Sequence, residues 1–267
     1  KSFCALGRDL ATTGFLNQEG MGAVLKALRA YALICEGEQV EHVLTVGTAA
    51  LREAKDAASF IATVQAETGL AIRVISGDAE ARYAARGVLM QNPEAAGLVA
   101  DFGGGSLEFA VLQQGHITDT ISLPLGSYHV LALGSDSEGR DAPLENILRP
   151  LVAQFGHLEH FYAIGGAWRS LGAAYVLDNP DQNTGPIAAA LMMEFCRKME
   201  ALPIDMLQQN YHLELPRATL IPIAAYTLRR VFEILQPQWF ESSIAGVRDG
   251  LVHEFLSSHN LSMDDMS

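Results

Sequence analysis

Strand-like and helix-like segments alternate over the first third of the chain. Apolar residues recur every three or four positions from Gln18 to Cys35 and again over 56–69, which predicts two amphipathic helices. Short segments rich in β-branched residues predict strands at 42–46 and 71–75, and a third helical pattern covers 78–90. Strands and helices in alternation are typical of an α/β protein with an open sheet.

The rest of the chain continues as a second α/β unit. Strands are predicted at 98–102, 107–112 and 117–121, with a further strand at 161–164. Two helices are expected between residues 220 and 256. The chain has 267 residues, of which 49% are hydrophobic, and this is enough to build two lobes with separate cores.

Asp101 is followed by Phe102 and by three glycines, Gly103, Gly104 and Gly105, before Ser106 leads into the next strand. Successive glycines let the backbone turn tightly and point its N–H groups at an anion, with no Cβ in the way. An aspartate at the end of a strand can hold a divalent cation beside that anion. A plain hairpin turn would need the same glycines, but the surrounding strands favour a phosphate site.

Two glutamates are candidates for chemistry near this loop. Glu108 alternates with Ser106 along the predicted strand, so the two side chains share a face. Glu80 lies in the first turn of the helix after 75–77, where free N–H groups favour anions and a carboxylate could accept a proton from water. A solvent-facing position for Glu108 and a helix-dipole role for Glu80 stay open as alternatives.

Composition restricts the partners of the protein. A net charge of −13 disfavours nonspecific binding to nucleic acid or to anionic membranes. The sequence shows no predicted membrane span or signal peptide. The three cysteines Cys4, Cys35 and Cys196 are far apart, which fits neither a disulfide framework nor a zinc site and indicates the reducing cytoplasm.

Three segments in the same order, 48–54, 75–83 and 101–108, resemble signatures of the exopolyphosphatase and guanosine pentaphosphate phosphohydrolase family, the Ppx/GppA phosphatases. They read Thr-Ala-Ala-Leu-Arg-Glu-Ala, Ile-Ser-Gly-Asp-Ala-Glu-Ala-Arg-Tyr and Asp-Phe-Gly-Gly-Gly-Ser-Leu-Glu. Weaker similarity extends the resemblance over nearly the whole chain, at 122–126, 165–167, 216–218 and 246–251.

The resemblance implies the two-lobed fold of the actin-like ATPase superfamily, which includes sugar kinases and Hsp70, with a cleft between the lobes. We expect a first lobe at 1–84 and a second lobe at 85–267 that carries the Asp-Phe-Gly-Gly-Gly-Ser loop. In the family a strand and an Asp-x-Gly-Ser phosphate loop come first. No such motif precedes Lys1, so we expect the first lobe to lack this element and a chain starting there to be nearly inactive.

The resemblance also assigns roles to particular residues. Glu80 corresponds to the catalytic base that activates water, and Asp101 and Glu108 correspond to carboxylates associated with Mg²⁺ or Mn²⁺. The predicted substrate contacts are Arg52, Gly103, Gly104, Gly105 and Ser106.

The implied activity is hydrolysis of the terminal phosphoanhydride bond of inorganic polyphosphate or of guanosine pentaphosphate (pppGpp), the latter linked to the stringent response. The implied location is the cytoplasm, with no nucleic-acid or membrane partner, and a homodimer is compatible with the resemblance. Two alternatives stay open: a catalytically weak regulator that binds a phosphorylated nucleotide, and an ATP-dependent kinase of the same superfamily.

Overall fold

A computed structural model describes residues 2–134, 136–182 and 185–259. Within these residues the strands form two separate sheets, one of two strands and one of six. Each sheet has its own helices and its own buried apolar cluster. The protein is therefore built from two lobes, as the sequence predicts.

The first lobe is organised around a short parallel pair of strands, β1 (Thr45–Gly47) and β2 (Ile72–Val74). Its helices are α1 (Leu10–Thr13), α2 (Gln18–Gly37), α3 (Ala49–Glu53) and α4 (Ala57–Thr68). Asn17 caps α2 by accepting a hydrogen bond from the Gly20 amide at 2.7 Å. Leu51, Phe60 and Val64 bury their side chains between the helices and close the core of this lobe.

A long helix, α5 (Gly77–Gln91), leads from the first lobe into the second. The second sheet has the strand order β5-β4-β3-β6-β8-β7. Its strands are β3 (Gly97–Phe102), β4 (Leu107–Gln113), β5 (His116–Leu123), β6 (His160–Ile164), β7 (Ile187–Ala188) and β8 (Trp239–Ser242). β3 pairs antiparallel with β4 and parallel with β6, so the glycine turn between β3 and β4 emerges at the carboxyl end of the central parallel strands.

Helices cover the faces of this second sheet. They are α6 (Ser127–Ala132), α7 (Ser137–Phe155), α8 (Gly166–Asp178), α9 (Ala189–Ala201), α10 (Ile204–Tyr211), α11 (Leu215–Ala218), α12 (Ile221–Leu235) and α13 (Val247–Ser258). A 3₁₀ turn at Pro180–Gln182 follows α8. The core is centred on Trp168, which stacks on Phe102 and donates its indole N–H to the Ala224 carbonyl oxygen at 3.0 Å.

Helices α5 and α13 approach each other closely at two glycines. A Cβ on Gly87 would lie 2.6 Å from the Gly246 carbonyl oxygen, and a Cβ on Gly250 would lie 2.0 Å from that of Tyr83. Glycine is therefore required on both helices for this close approach. Beyond the contact, the Tyr83 hydroxyl donates to the Glu254 carboxylate, so the crossing is also held by a polar link.

The structure confirms the predicted helices but shifts or adds strands. The strand expected at 42–46 lies at Thr45–Gly47, and β7 and β8 were missed. The expected boundary between 84 and 85 falls inside α5. The division into lobes at 1–84 and 85–267 stays a prediction. Residues 260–267 of the second predicted lobe lie outside the described ranges. None of the helices in the described ranges is both long and apolar enough to span a bilayer.

Candidate active site

The glycine loop between β3 and β4 is tied to the start of α6. Its carbonyl oxygens at Gly103 and Gly104 accept hydrogen bonds from the Ser127 and Tyr128 amides at 3.0 and 2.9 Å. A Cβ on Gly126 would lie 2.4 Å from the Gly105 carbonyl carbon, so only glycine allows this approach. The bonds fix the carbonyl side of the loop, while the Gly104 and Gly105 amides donate to nothing in the described part of the chain. The loop thus keeps donors for an anion.

A cavity of about 270 Å³ lies over this loop, between the two lobes. Glu80 and the segment 48–50 line it from one side, and 103–106, Tyr128 and Arg217 line it from the other. The predicted base and the predicted phosphate loop therefore share one cavity. A bound phosphate would contact donors of the second lobe while facing a carboxylate at the start of α5.

Glu80 is held at the start of α5, where Ser76 caps the helix by accepting a hydrogen bond from the Ala79 amide at 3.1 Å. Arg52 Nη1 donates to Glu80 Oε2 at 3.1 Å and to the Ile75 carbonyl oxygen at 3.0 Å. Burial and the charge of Asp101 raise the pKa of Glu80 to about 7, against the lowering effect of Arg52. A carboxylate with such a pKa is suited to accept a proton near neutral pH.

Glu108 lies on β4, directly opposite Asp101 on β3. Its side chain is only 1% exposed, and Oε1 accepts a hydrogen bond from the Ser122 hydroxyl at 2.7 Å. Arg52 Nη2 lies 3.7 Å from the same oxygen. Burial and the charge of Glu80 raise the pKa of Glu108 to about 8. Two buried carboxyl groups thus share one guanidinium, and burial holds the pKa of both above the ordinary value.

Asp101 is the penultimate residue of β3 and lines a neighbouring cavity of about 610 Å³ together with Gly103, Gly165 and Gly166. Gly165 has φ +93°, and a Cβ there would lie 3.0 Å from Asp101 Oδ1 and 2.4 Å from the Phe102 carbonyl oxygen. Without a Cβ, the Gly165 backbone packs closely beside a carboxylate and a carbonyl oxygen, which are ligands that Mg²⁺ accepts.

In the described ranges no three His, Cys, Asp or Glu side chains converge into a metal cage. Mg²⁺ is commonly held by one or two carboxylates, water and substrate phosphate, so Asp101 fits such an ion. Glu108 fits less well, because its carboxylate faces Ser122 and Arg52 and does not line either cavity. Its role as a metal ligand stays a prediction from the resemblance.

Arg52 and Arg217 differ in their position relative to the cavity over the loop. The predicted substrate ligand Arg52 is directed at Ile75, Glu80 and Glu108 and does not line the cavity over the loop. Arg217, which sequence reasoning left unassigned, does line it.

The Arg217 guanidinium packs 5.5 Å from the Phe3 ring centroid, and no carboxylate of the described residues pairs with it. A Cβ on Gly166 would lie 2.4 Å from Arg217 Nη2, so this glycine makes room for the cation. Burial and the charge of Arg169 lower the pKa of Arg217. An unpaired, half-buried guanidinium beside a glycine loop is suited to bind a phosphate oxygen. The only sequence signal was the weak similarity at 216–218.

Comparison with known proteins connects this geometry to a family. Residues 1–259 match the sequence pattern of the Ppx/GppA phosphatase family. The chain is similar to an exopolyphosphatase from Cytophaga hutchinsonii, with 19% identity over 96% of this chain and 88% of that one, and a TM-score of 0.86. It is also similar to the Ppx/GppA family member of Aquifex aeolicus, with 22% identity over 98% and 89% of the two chains and a TM-score of 0.75.

An exopolyphosphatase-like protein gives a TM-score of 0.83 at 18% identity, over 97% of this chain and 91% of the other. The expected two-lobed α/β fold is therefore confirmed. Since the family pattern extends over both lobes and all three motif segments, the chain belongs to the Ppx/GppA phosphatase family.

Proposed function

We propose that the protein hydrolyses the terminal phosphoanhydride bond of inorganic polyphosphate, with pppGpp as a second substrate of the same site. The observation that carries this proposal is that Glu80, with its raised pKa, and the glycine loop line one cavity between the lobes. Membership of a phosphatase family and similarity to a protein described as an exopolyphosphatase support the same chemistry.

The terminal phosphoryl group binds over the loop. The amides of Gly104 and Gly105 donate to its oxygens beside Ser106, and Arg217 neutralises the adjoining phosphate. Since positioning and charge stabilisation dominate phosphoryl transfer, these fixed donors supply a large part of the rate enhancement. Their carbonyl oxygens are already held by α6, so little reorganisation accompanies the reaction.

Glu80 acts as the general base. A water molecule between Glu80 and the bound phosphoryl group gives its proton to the carboxylate while its oxygen attacks phosphorus in line. The bond to the bridging oxygen breaks, and the shortened chain leaves with the electron pair. Arg52 holds Glu80 in place, because its guanidinium is directed at Oε2 and at the Ile75 carbonyl oxygen.

Asp101 would hold a Mg²⁺ or Mn²⁺ ion, with Glu108 as the further carboxylate that the resemblance names. When bound, such an ion neutralises negative charge on the phosphate oxygens. The placement of Asp101 beside both Gly103 and Gly165 supports this role.

Room for the rest of the substrate lies beyond Arg217. A cavity of about 390 Å³, lined by Gly166, Arg169, Ser170 and Arg217, adjoins the one over the loop. Arg169 and Arg217 are two cations against one carboxylate, Glu214, in the lining of this cavity, so its local charge favours a polyanion although the whole protein is acidic. A linear polyphosphate would extend along it from the terminal phosphate.

The test is phosphate release with Mg²⁺ from polyphosphates of defined length and, in parallel, from pppGpp. We expect release from polyphosphate at the higher kcat/KM, and release by Glu80→Gln that is slower by about 10²–10⁴-fold. Tight binding of either compound without turnover would instead identify a regulator. ADP formation from ATP with transfer to a hydroxyl acceptor would identify a kinase.

A further inference from the structure

Helix α3 presents three successive contacts to the second lobe. Ala49, Arg52 and Glu53 are spaced i, i+3 and i+4, so their side chains share one face of the helix. A Cβ on Gly105 would lie 2.9 Å from the Ala49 Cβ, and Arg52 reaches Glu108 on β4. Glu53 makes the third contact, and the function described above does not use it.

Glu53 pairs with His129 on α6. Its Oε2 lies 3.4 Å from His129 Nε2, and the two side chains are 33% and 19% exposed. The His129 ring also lies against the glycine loop, since Cε1 would be 3.8 Å from a Cβ on Gly105. The same helix α6 supplies the amides that bind the loop carbonyls. The pair thus joins the helix that carries Arg52 to the helix that holds the phosphate loop.

We propose that Glu53 and His129 form a positioning pair across the cleft, which holds α3 against the second lobe so that Arg52 keeps Glu80 in its reactive place. This inference rests on the proposed hydrolysis. Neither Glu53 nor His129 lines the cavity over the loop, so the pair acts through Arg52 and not through the substrate.

Glu53→Ala should lower kcat by about two- to fivefold, the range expected for a partly exposed polar contact, and leave KM within about twofold. His129→Phe keeps a ring against Gly105 but removes Nε2, and it should cause the same loss. The double variant should be no slower than either single one, because both substitutions break one contact.

Glu67→Ala is the matched control. Glu67 is 36% exposed and pairs with Arg29, but both of these residues lie in the first lobe. Its substitution should leave kcat unchanged. Equal kcat losses for Glu53→Ala and Glu67→Ala would overturn the proposal.

The Arg52→Gln background separates positioning from general structural support. If the pair acts through Arg52, Glu53→Ala adds no further loss of kcat there. A full additional loss in that background would overturn the proposal even if all variants fold equally well.

Hydrogen exchange gives a readout that does not need activity. In Glu53→Ala, amides of 49–53 should exchange faster than in the parent protein, and in Glu67→Ala they should not. If the parent protein released no phosphate, the proposed function would fail, and the exchange data alone would decide whether the pair holds α3. Unchanged exchange of these amides in Glu53→Ala would overturn the proposal that Glu53 and His129 hold α3 in place.

Discussion

Arg52 Nη1 lies 3.1 Å from Glu80 Oε2, while Nη2 of the same guanidinium lies 3.7 Å from Glu108 Oε1. The Arg52 guanidinium of the first lobe therefore contacts two buried carboxyl groups, one on α5 and one on β4. Since both groups have raised pKa values, the charge of this cluster changes near neutral pH. Several measurable properties depend on that arrangement.

Glu80→Gln should reduce kcat by about 10²–10⁴ because the amide cannot accept the proton of the attacking water. Folding stability should not fall, since the substitution removes a buried ionisable group while keeping its shape. Phosphate release and thermal melting of the same preparations check both statements. Asp78→Asn is the control, because Asp78 lies in the same helical turn but is exposed and pairs with Arg82. A Glu80→Gln protein with parental turnover would exclude Glu80 as the base.

The pH profile should show kcat/KM rising through an apparent pKa near the value of about 7 for Glu80, because only the ionised carboxylate accepts a proton. Activity should thus be lost as pH falls below that value. Arg52→Gln removes the cation that favours ionisation, so its profile should shift to higher pH. For the parent protein and for Arg52→Gln, rates at low substrate concentration measure kcat/KM against pH, and rates at saturating substrate measure kcat against pH. An Arg52→Gln profile at lower pH would contradict this account.

Glu108→Gln should change how stability depends on pH. Burial raises the pKa of Glu108 from its ordinary 4.5 to about 8, so the folded state binds a proton that the unfolded state releases between those values. The parent protein should therefore lose stability relative to Glu108→Gln as pH rises from 4.5 to 8. Melting temperatures of both proteins across this window test the sign. Parallel curves would show that Glu108 ionises as freely when folded as when unfolded.

Asp101→Asn should raise the Mg²⁺ concentration needed for half-maximal activity, because a neutral amide binds a hard cation more weakly than a carboxylate. Phosphate release at increasing Mg²⁺ measures the change. The control is Asp249→Asn, since Asp249 also borders the larger cavity but its carboxylate caps α13 by accepting from the Gly246 amide at 2.9 Å. Full activity of the parent protein in excess chelator would remove the metal from the mechanism.

Arg217→Gln should raise KM for polyphosphate with a smaller effect on kcat, since the guanidinium would bind a phosphate next to the one that reacts. The loss should diminish at high salt, which already screens this attraction. Arg149→Gln provides a comparison, because Arg149 is exposed on α7 and pairs with Glu145. Equal KM values for Arg217→Gln and the parent would exclude a substrate contact at this position.

The sequence predicts elements whose side-chain pattern is local. The helices at Gln18–Gly37 and Gly77–Gln91 and the strand at Gly97–Phe102 agree with their periodicity to within one or two residues. β7 and β8 were missed because they are short and their partners are distant in the chain. β8, for example, pairs with His160–Ile164.

In the candidate site, too, features with a local sequence signal could be predicted, and features that depend on distant contacts could not. The glycine loop and Glu80 could be identified because a turn and a helix start have local signals. The direction of Arg52 and the unpaired state of Arg217 depend on contacts between segments far apart in the chain, such as Arg52 with Ile75 and Arg217 with Gly166. Spacing alone does not contain this information. The metal-ligand roles of Asp101 and Glu108 stay predictions.

The close contact of α5 and α13 at Gly87 lies at some distance along α5 from Glu80, so a small tilt of the helix there moves the Glu80 carboxylate. Gly87 is seven residues from Glu80 along α5, which is about 10 Å at 1.5 Å per residue. A tilt of about 6° around that contact would displace the carboxylate by about 1 Å, and an error of this size can cost about 100-fold in rate. The position of the proton-accepting carboxylate therefore depends on the rigidity of the contact between the α5 and α13 backbones at Gly87, about 10 Å from Glu80.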